Sequence, residues 1–332
     1  MIIMILLLVL LVLLVQIGSV KSDTIKLRSY DIHNSITVSG LSSGAFFAVQ
    51  MHVSFSGLVN GSAVFAGGPF YCAESTLEYA EEKCMSTALG LPQVQKLVDL
   101  TISDYTLGYI DNPNNLKDDK IYLFSGKLDT VVDPKVVKSL QNYYDAFIHS
   151  SNIVADYNVE AEHCMPTLNY GEDCSTLSSP YIGNCNFDGA GKALQVLLGP
   201  GLTRGQANSS NLYAFDQTPY FEGSSSSIGD VGYIYIPSSC ETKQCYLHIS
   251  FHGCEQNLEL IGNQYAVNSG YNDWAESNGI IVLYPYVQTS NPNPYNPNGC
   301  WDWWGYADNI MYGVKAGVQM SFVKKLIDTI KG

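Results

Sequence analysis

Three residues of this chain have the types and order needed for nucleophilic acyl transfer. Ser42 lies in Gly40-Leu41-Ser42-Ser43-Gly44, a G-x-S-x-G pattern whose glycines remove the side chains that would collide in a sharp turn. Asp129 follows in Gly126-Lys127-Leu128-Asp129-Thr130-Val131, and His163 in Glu162-His163-Cys164-Met165-Pro166-Thr167. A hydroxyl becomes a useful nucleophile only when a base takes its proton, and an imidazole does so best when a carboxylate fixes its tautomer. Duller roles exist for each residue. Asp129 or Asp133 could cap the helix after Pro134, His163 could be an ordinary loop histidine, and His52 lies nearer to Ser42 in sequence. A bare G-x-S-x-G also arises easily in a chain with 29 glycines.

The flanking elements decide between these readings. Ser35-Ile36-Thr37-Val38 suits a buried strand, and Ala45 to Val53 a helix, so the pattern falls at a strand–turn–helix junction. The helix start would aim free N–H groups and a positive dipole end at the serine. Further strands are expected at Ser62 to Gly68, ending in a glycine turn, at Lys120 to Gly126 and at Ile153 to Tyr157. Helical spacing runs through Val94, Leu97, Val98 and Leu100 and again from Pro134 to Ile148, with a short helix at Ala190 to Leu198. Alternating strands and helices predict a doubly wound, mostly parallel sheet, in which functional residues gather beyond the carboxyl ends of the strands. Ser42, Asp129 and His163 all occupy such positions, in the Ser–Asp–His order of α/β-hydrolases.

The second half adds strands at Gly232 to Pro237, Cys245 to Phe251 and Gly279 to Tyr286, with a helix around Tyr271 to Ser277. The middle one runs into His252-Gly253-Cys254-Glu255-Gln256, a His-Gly-x end that resembles the oxyanion loop of α/β-hydrolases. That loop ordinarily precedes the nucleophile, whereas here it follows it. The expected architecture is therefore a circularly permuted α/β-hydrolase, one domain over residues 23–332 with a Gly/Ser/Asn-rich connection at about 201–230.

Bulk properties narrow the partners. Ile2 to Val15 is an apolar run of signal-peptide length, so residues 1–22 are expected to be a cleaved leader and the mature protein secreted or held in an endomembrane lumen, for example lysosomal. A net charge of −14 with 17 basic residues argues against nucleic acid and anionic membrane surfaces and suits a neutral substrate. The 23 tyrosines and 4 tryptophans could line a cleft, although core packing accounts for most such residues. The sequons Asn60-Gly61-Ser62 and Asn208-Ser209-Ser210 are candidate glycan acceptors on surface loops. The expected state is a monomer.

Together these residues resemble the polyhydroxybutyrate (PHB) depolymerase family, in its single-domain, circularly permuted form. The resemblance rests on Gly40 to Ala45, Gly126 to Val131, His163-x-x-Pro166-Thr167, Asp188-Gly189-Ala190-Gly191 and Phe215-Asp216-Gln217. It rests most specifically on His252 to Gln256 and on Asn298-Gly299-Cys300-Trp301-Asp302-Trp303-Trp304-Gly305-Tyr306. It implies Ser42 as nucleophile, Asp129 as triad acid and His163 as base, with the backbone N–H groups of Ser43 and Cys254 as the oxyanion hole. It also implies that Trp301, Trp303, Trp304 and Tyr306 form an aromatic substrate wall, and that a short-chain aliphatic polyester is cut through an acyl-enzyme without metal or cofactor. A carboxylesterase of the feruloyl or acetyl-xylan type shares the same loop logic, and a catalytically silent secreted binding protein is the reading from another class.

Nine cysteines in an exported chain point to disulfides. Proximity pairs Cys72 with Cys84, Cys174 with Cys185 and Cys240 with Cys245, with Cys254–Cys300 as the long-range bridge and Cys164 left over. Non-reducing peptide mapping should recover these four pairs and an alkylatable Cys164. A bridged Cys164 would overturn the scheme.

Overall fold

The sheet strands are β1 (Ile32–Leu41), β2 (Val59–Phe65), β3 (Lys120–Phe124) and β4 (Ile153–Asp156). After the short strands β5 (Met165–Thr167), β6 (Glu172–Asp173) and β7 (Ile182–Asn184), which pair among themselves, come β8 (Leu212–Asp216), β9 (Val231–Tyr235), β10 (Cys245–Phe251) and β11 (Ile280–Tyr284). They form an 8-stranded sheet in the order β4-β3-β2-β1-β10-β11-β9-β8. All neighbours run parallel except β9, which pairs antiparallel with β11 and β8. The structure is a computed structural model describing residues 24–223, 226–308 and 310–332. The leader expected over residues 1–22 lies outside the described residues.

The central strands are continuous apolar runs because both faces of the sheet are covered. Along β3, Tyr122 and Phe124 enter one core cluster while Ile121 and Leu123 enter another on the opposite face. β11 divides in the same way, Ile280, Val282 and Tyr284 against Ile281 and Leu283. Helices α1 (Ser43–Ser54), α3 (Val94–Thr106), α4 (Pro134–Tyr144) and the helix Val318–Lys331 supply one cover; α5 (Gly189–Leu198) and the helix Tyr271–Asn278 supply the other, with the short α2 (Leu77–Glu82) beside the site. Asp133 caps α4, its Oδ1 accepting from Lys135 N at 2.8 Å with Pro134 at the first helical position. That leaves Asp129 for another role.

Expected elements appear close to their predicted places; the small sheet of β5, β6 and β7 was not anticipated, nor were two longer elements. β8 lies inside the Gly/Ser/Asn-rich connection, and the amphipathic helix Val318–Lys331 closes the sheet's cover near the carboxyl end. Asn60 needs correction. It stands in β2 with a half-buried side chain, not on a surface loop, whereas Asn208 is exposed at the start of a short 3-10 turn. Among the described residues, no helix is long and apolar enough to cross a membrane. All four expected disulfides are present, and Cys164 is free and buried.

Parallel register brings the chemistry together. Gly40 pairs with Phe251, Leu41 with Phe65, Phe65 with Phe124 and Phe124 with Asp156, so five strands end level with one another. The loops that follow them carry Ser42, Asp129, His163 and Gly253-Cys254, all at one edge of the sheet. β1 sits at the centre, between β2 and β10, although it comes first in the chain. This is the permuted order.

The two elbow glycines have different jobs. A Cβ on Gly40 would lie 2.1 Å from the carbonyl oxygen of Gly44, so Gly40 lets the turn close on itself. A Cβ on Gly44 would lie 2.4 Å from the carbonyl oxygens of both Phe251 and His252, so Gly44 lets α1 touch the end of β10. Gly44→Ala must push backbone from backbone and should cost about 1–3 kcal/mol, read as a lowered Tm. Gly201→Ala, where a Cβ meets nothing within 4 Å, should stay within about 0.5 kcal/mol of the parent. Equal stability of the two variants would contradict this account.

Candidate active site

Ser42 is held in an uncommon backbone conformation, φ 56° and ψ −123°, at the turn from β1 into α1. Such a conformation costs on the order of 1–3 kcal/mol and persists only where its surroundings enforce it. Here Ser42 N donates to Phe65 O at 2.9 Å, and the following helix locks the other side. Ser43 faces the opposite way. It is buried, and its Oγ accepts from Trp301 N at 3.3 Å. Neighbouring serines are thereby separated into one that fronts the crevice and one that braces it.

The Asp129 and His163 loops are joined to each other before they meet Ser42. Lys127 N donates to Val159 O at 2.8 Å and Leu128 N to Ala161 O at 3.0 Å, a contact that Gly126 permits because a Cβ there would lie 2.2 Å from Ala161 O. Glu162 adds a second tie. Its Oε2 accepts from His163 N at 2.7 Å and Thr130 N at 3.2 Å, and its Oε1 from the Thr130 hydroxyl at 2.6 Å. The Asp129 carboxylate accepts from Val131 N and Val132 N at 2.9 and 2.8 Å, which fixes its plane. His163 Nδ1 then lies 2.9 Å from Oδ2 and 3.1 Å from Oδ1 of Asp129. With Nδ1–H donated to a carboxylate, Nε2 remains the free basic nitrogen of the ring. His52 is excluded from this role, being fully buried between Tyr144 and Asp119.

Ser42 and His163 line a single crevice of about 230 Å3 whose other walls include Leu41, Phe46, Met85, Val131, Gly253, Cys254 and Trp303. A neighbouring hollow of about 290 Å3 shares Met85, Cys254, Asn298 and Trp303 with it and adds Leu77, Tyr295 and Trp304. The lining is mostly apolar, as an uncharged aliphatic ligand requires. Cys254 is the hinge between the two spaces, tied by its disulfide to Cys300 just before the tryptophans. Among the described residues, Cys254 N donates to no protein acceptor, and Gly253 N is taken by Gln256 Oε1 at 2.7 Å.

The aromatic run divides more finely than its sequence suggests. Trp303 stacks on Phe46 with ring centroids 4.1 Å apart, and Trp304 lies edge-on to it, so these two build the wall. Trp301 does not. It is fully buried against Phe47 and Phe251, and its assignment to the wall is corrected to the core. Tyr306 turns its hydroxyl inward, donating to Cys300 O and accepting from the amides of Asn296 and Gln319, and it too lies behind the wall. The loop is shaped by Asp302, whose carboxylate accepts from the N–H groups of Gly305, Tyr306, Ala307 and Asp308. Burial raises its pKa to about 6 against the pull of those donors.

Cys164 follows His163 but points into the core. Its Sγ lies 4.0 Å from Cys185 Sγ, and Cys185 is already bridged to Cys174. Burial, with the nearby charges of Asp129 and Glu162, pushes its thiol up to about 12, so it is protonated and inert at neutral pH.

No protein-family model matches the chain. A poly(3-hydroxybutyrate) depolymerase from Delftia acidovorans is 42% identical over 300 residues, 89% of this chain but only 59% of the length of that protein. A polyhydroxybutyrate depolymerase from Talaromyces funiculosus is 34% identical over 95% of this chain and 96% of its own. Among solved structures, the PHB depolymerase from Penicillium funiculosum superposes with a TM-score of 0.83 at 35% identity, covering 92% of this chain and 99% of that one. A serine-to-alanine PHB depolymerase variant complexed with an R3HB trimer gives 0.84 at the same identity and coverage. With near-complete mutual coverage of the Talaromyces relative in sequence and of the solved depolymerases in structure, and the four sheet-edge loops in place, the chain belongs to the polyhydroxybutyrate depolymerase family.

Proposed function

We propose that this chain is a secreted, monomeric serine esterase that hydrolyses poly(3-hydroxybutyrate) or its oligomers. The observation that carries the reading is the bidentate Asp129–His163 pair, set at the same sheet edge and in the same crevice as the strained Ser42. His163 Nε2 takes the Ser42 proton as Oγ attacks an ester carbonyl, and Asp129 stabilises the imidazolium that forms. The N–H groups of Ser43, at the start of α1, and of Cys254 receive the oxyanion. Each such donor contributes roughly a hundredfold to a thousandfold in rate. His163 then gives its proton to the leaving hydroxy-acid alcohol, and water repeats the cycle on the acyl-enzyme.

The substrate class follows from the walls. Phe46, Val131, Met85 and Trp303 offer apolar contact and little charge, so a neutral aliphatic ester chain can be bound without ion pairing. The adjoining hollow with Trp304 and Tyr295 gives room for further repeat units of a polymer.

Ser42→Ala should lower turnover of hydroxybutyrate oligomers by about 10^4-fold or more. Ser43→Ala should stay within about tenfold of the parent, because it loses one hydrogen bond to Trp301 N while keeping its own backbone N–H. Oligomer hydrolysis is assayed beside feruloyl and acetyl-sugar esters. Equal losses in the two variants would refute the assignment of the serines, and preference for the sugar esters would refute the substrate.

A further inference from the structure

The crevice has a second histidine behind it. His252 is fully buried at the end of β10 and makes two hydrogen bonds whose partners have fixed roles. Its Nδ1 lies 2.7 Å from the carbonyl oxygen of Gly253, which can only accept. Its Nε2 lies 3.3 Å from the backbone N–H of Val287, which can only donate. Only the neutral tautomer with its proton on Nδ1 satisfies both. Burial favours that neutral form, lowering the pKa to about 4. The ring cannot easily turn, since Tyr286 stacks on it at 4.8 Å and Trp301 packs at 5.8 Å.

The bond to Gly253 acts on a particular peptide. In a trans peptide the C=O and N–H point in opposite directions, so holding the Gly253 oxygen toward the core aims the Cys254 N–H outward. Gly253 lies beside the elbow, with the position of a Cβ on it 3.4 Å from Ser42 Cβ. The next peptide plane upstream is fixed separately, Gly253 N donating to Gln256 Oε1 at 2.7 Å. Gln256 is in turn anchored through Nε2 to the carbonyls of Pro180 and Tyr181 at 2.9 and 3.1 Å.

We infer that His252 is a positioning residue for the oxyanion hole: its Nδ1–H holds the Gly253–Cys254 peptide so that the Cys254 N–H faces the developing oxyanion. It touches no reacting atom and exchanges no proton with substrate. The inference rests on the esterase reading above, and deepens it by assigning what keeps one oxyanion donor in place.

Two substitutions separate the hydrogen bonds of His252. In His252→Asn the side-chain amide nitrogen can occupy the place of Nδ1 and still donate to Gly253 O. In His252→Gln the amide reaches the place of Nε2 and can meet Val287 N–H, leaving Gly253 O with only the longer bond from Gln256 N at 3.3 Å. The full-length chain is assayed for kcat and KM on a soluble short-chain ester and for inhibition by an alkylboronic acid, whose serine adduct mimics the tetrahedral intermediate. His252→Gln should lose about 10–100-fold in kcat and in boronate affinity, with KM within about threefold, and His252→Asn should recover at least tenfold of both. Equal kcat in the two variants, Gln above Asn, or a kcat loss with unchanged boronate affinity would overturn the inference. Thermal unfolding of both variants and His252→Phe is followed in parallel; if only Asn and Gln fold, their ratio still decides. Ser42→Ala supplies the independent check. If it retains turnover and the parent binds no boronate, the esterase reading has failed, not the role of His252.

Discussion

The whole site depends on how closely two backbones can approach. The start of α1 lies against the last carbonyls of β10, at a distance that only a glycine at position 44 allows. That contact brings the residue after the nucleophile and the loop Gly253-Cys254 to the same point, although they belong to opposite halves of the chain. Parallel pairing of β1 with β10 sets the register, and level strand ends do the rest. The uncommon backbone of Ser42 is a local cost of this arrangement, offset by the packing of α1, every residue of which is buried.

A second close approach serves the acid and the base. Gly126 against Ala161 and Glu162 across to Thr130 make the two loops one unit, so the Asp129–His163 pair is assembled independently of substrate. Its distance is set by backbone bonds on both sides instead of by the pair's own attraction. Preassembly of this kind avoids reorganisation at the moment charge develops on the imidazole.

Much of this was legible in the residues. G-x-S-x-G at a strand–helix junction, apolar runs of strand length and the order Ser42, Asp129, His163 follow from period and turn chemistry alone, and cysteine proximity gave the three short bridges. What escaped was whatever depends on direction. Trp301, Trp303 and Trp304 look alike in sequence, but Trp301 points to the core and the other two to the crevice, and no pattern of residue types distinguishes them. β8 is a short apolar segment in a Gly/Ser/Asn-rich region, and its pairing with β9 makes it a strand. Glu162 reads as one more surface carboxylate beside His163; only the loop pairing buries it as a strut. The helix Val318–Lys331 carries a plain helical stripe at Phe322, Val323, Leu326, Ile327 and Ile330, and its pattern was available to be read.

The Cys254–Cys300 bridge joins residues 46 apart, and on a chain-entropy argument a closure of that length is worth about 4 kcal/mol. Its placement has an evolutionary corollary. One end carries the N–H that would stabilise charge, and the other begins the loop whose tryptophans would select the substrate. A mutation that reshapes the wall is therefore transmitted through a rigid covalent link to the catalytic donor. Selectivity and catalytic power should co-vary in relatives that keep the bridge, and drift apart more freely in any lineage that has lost it.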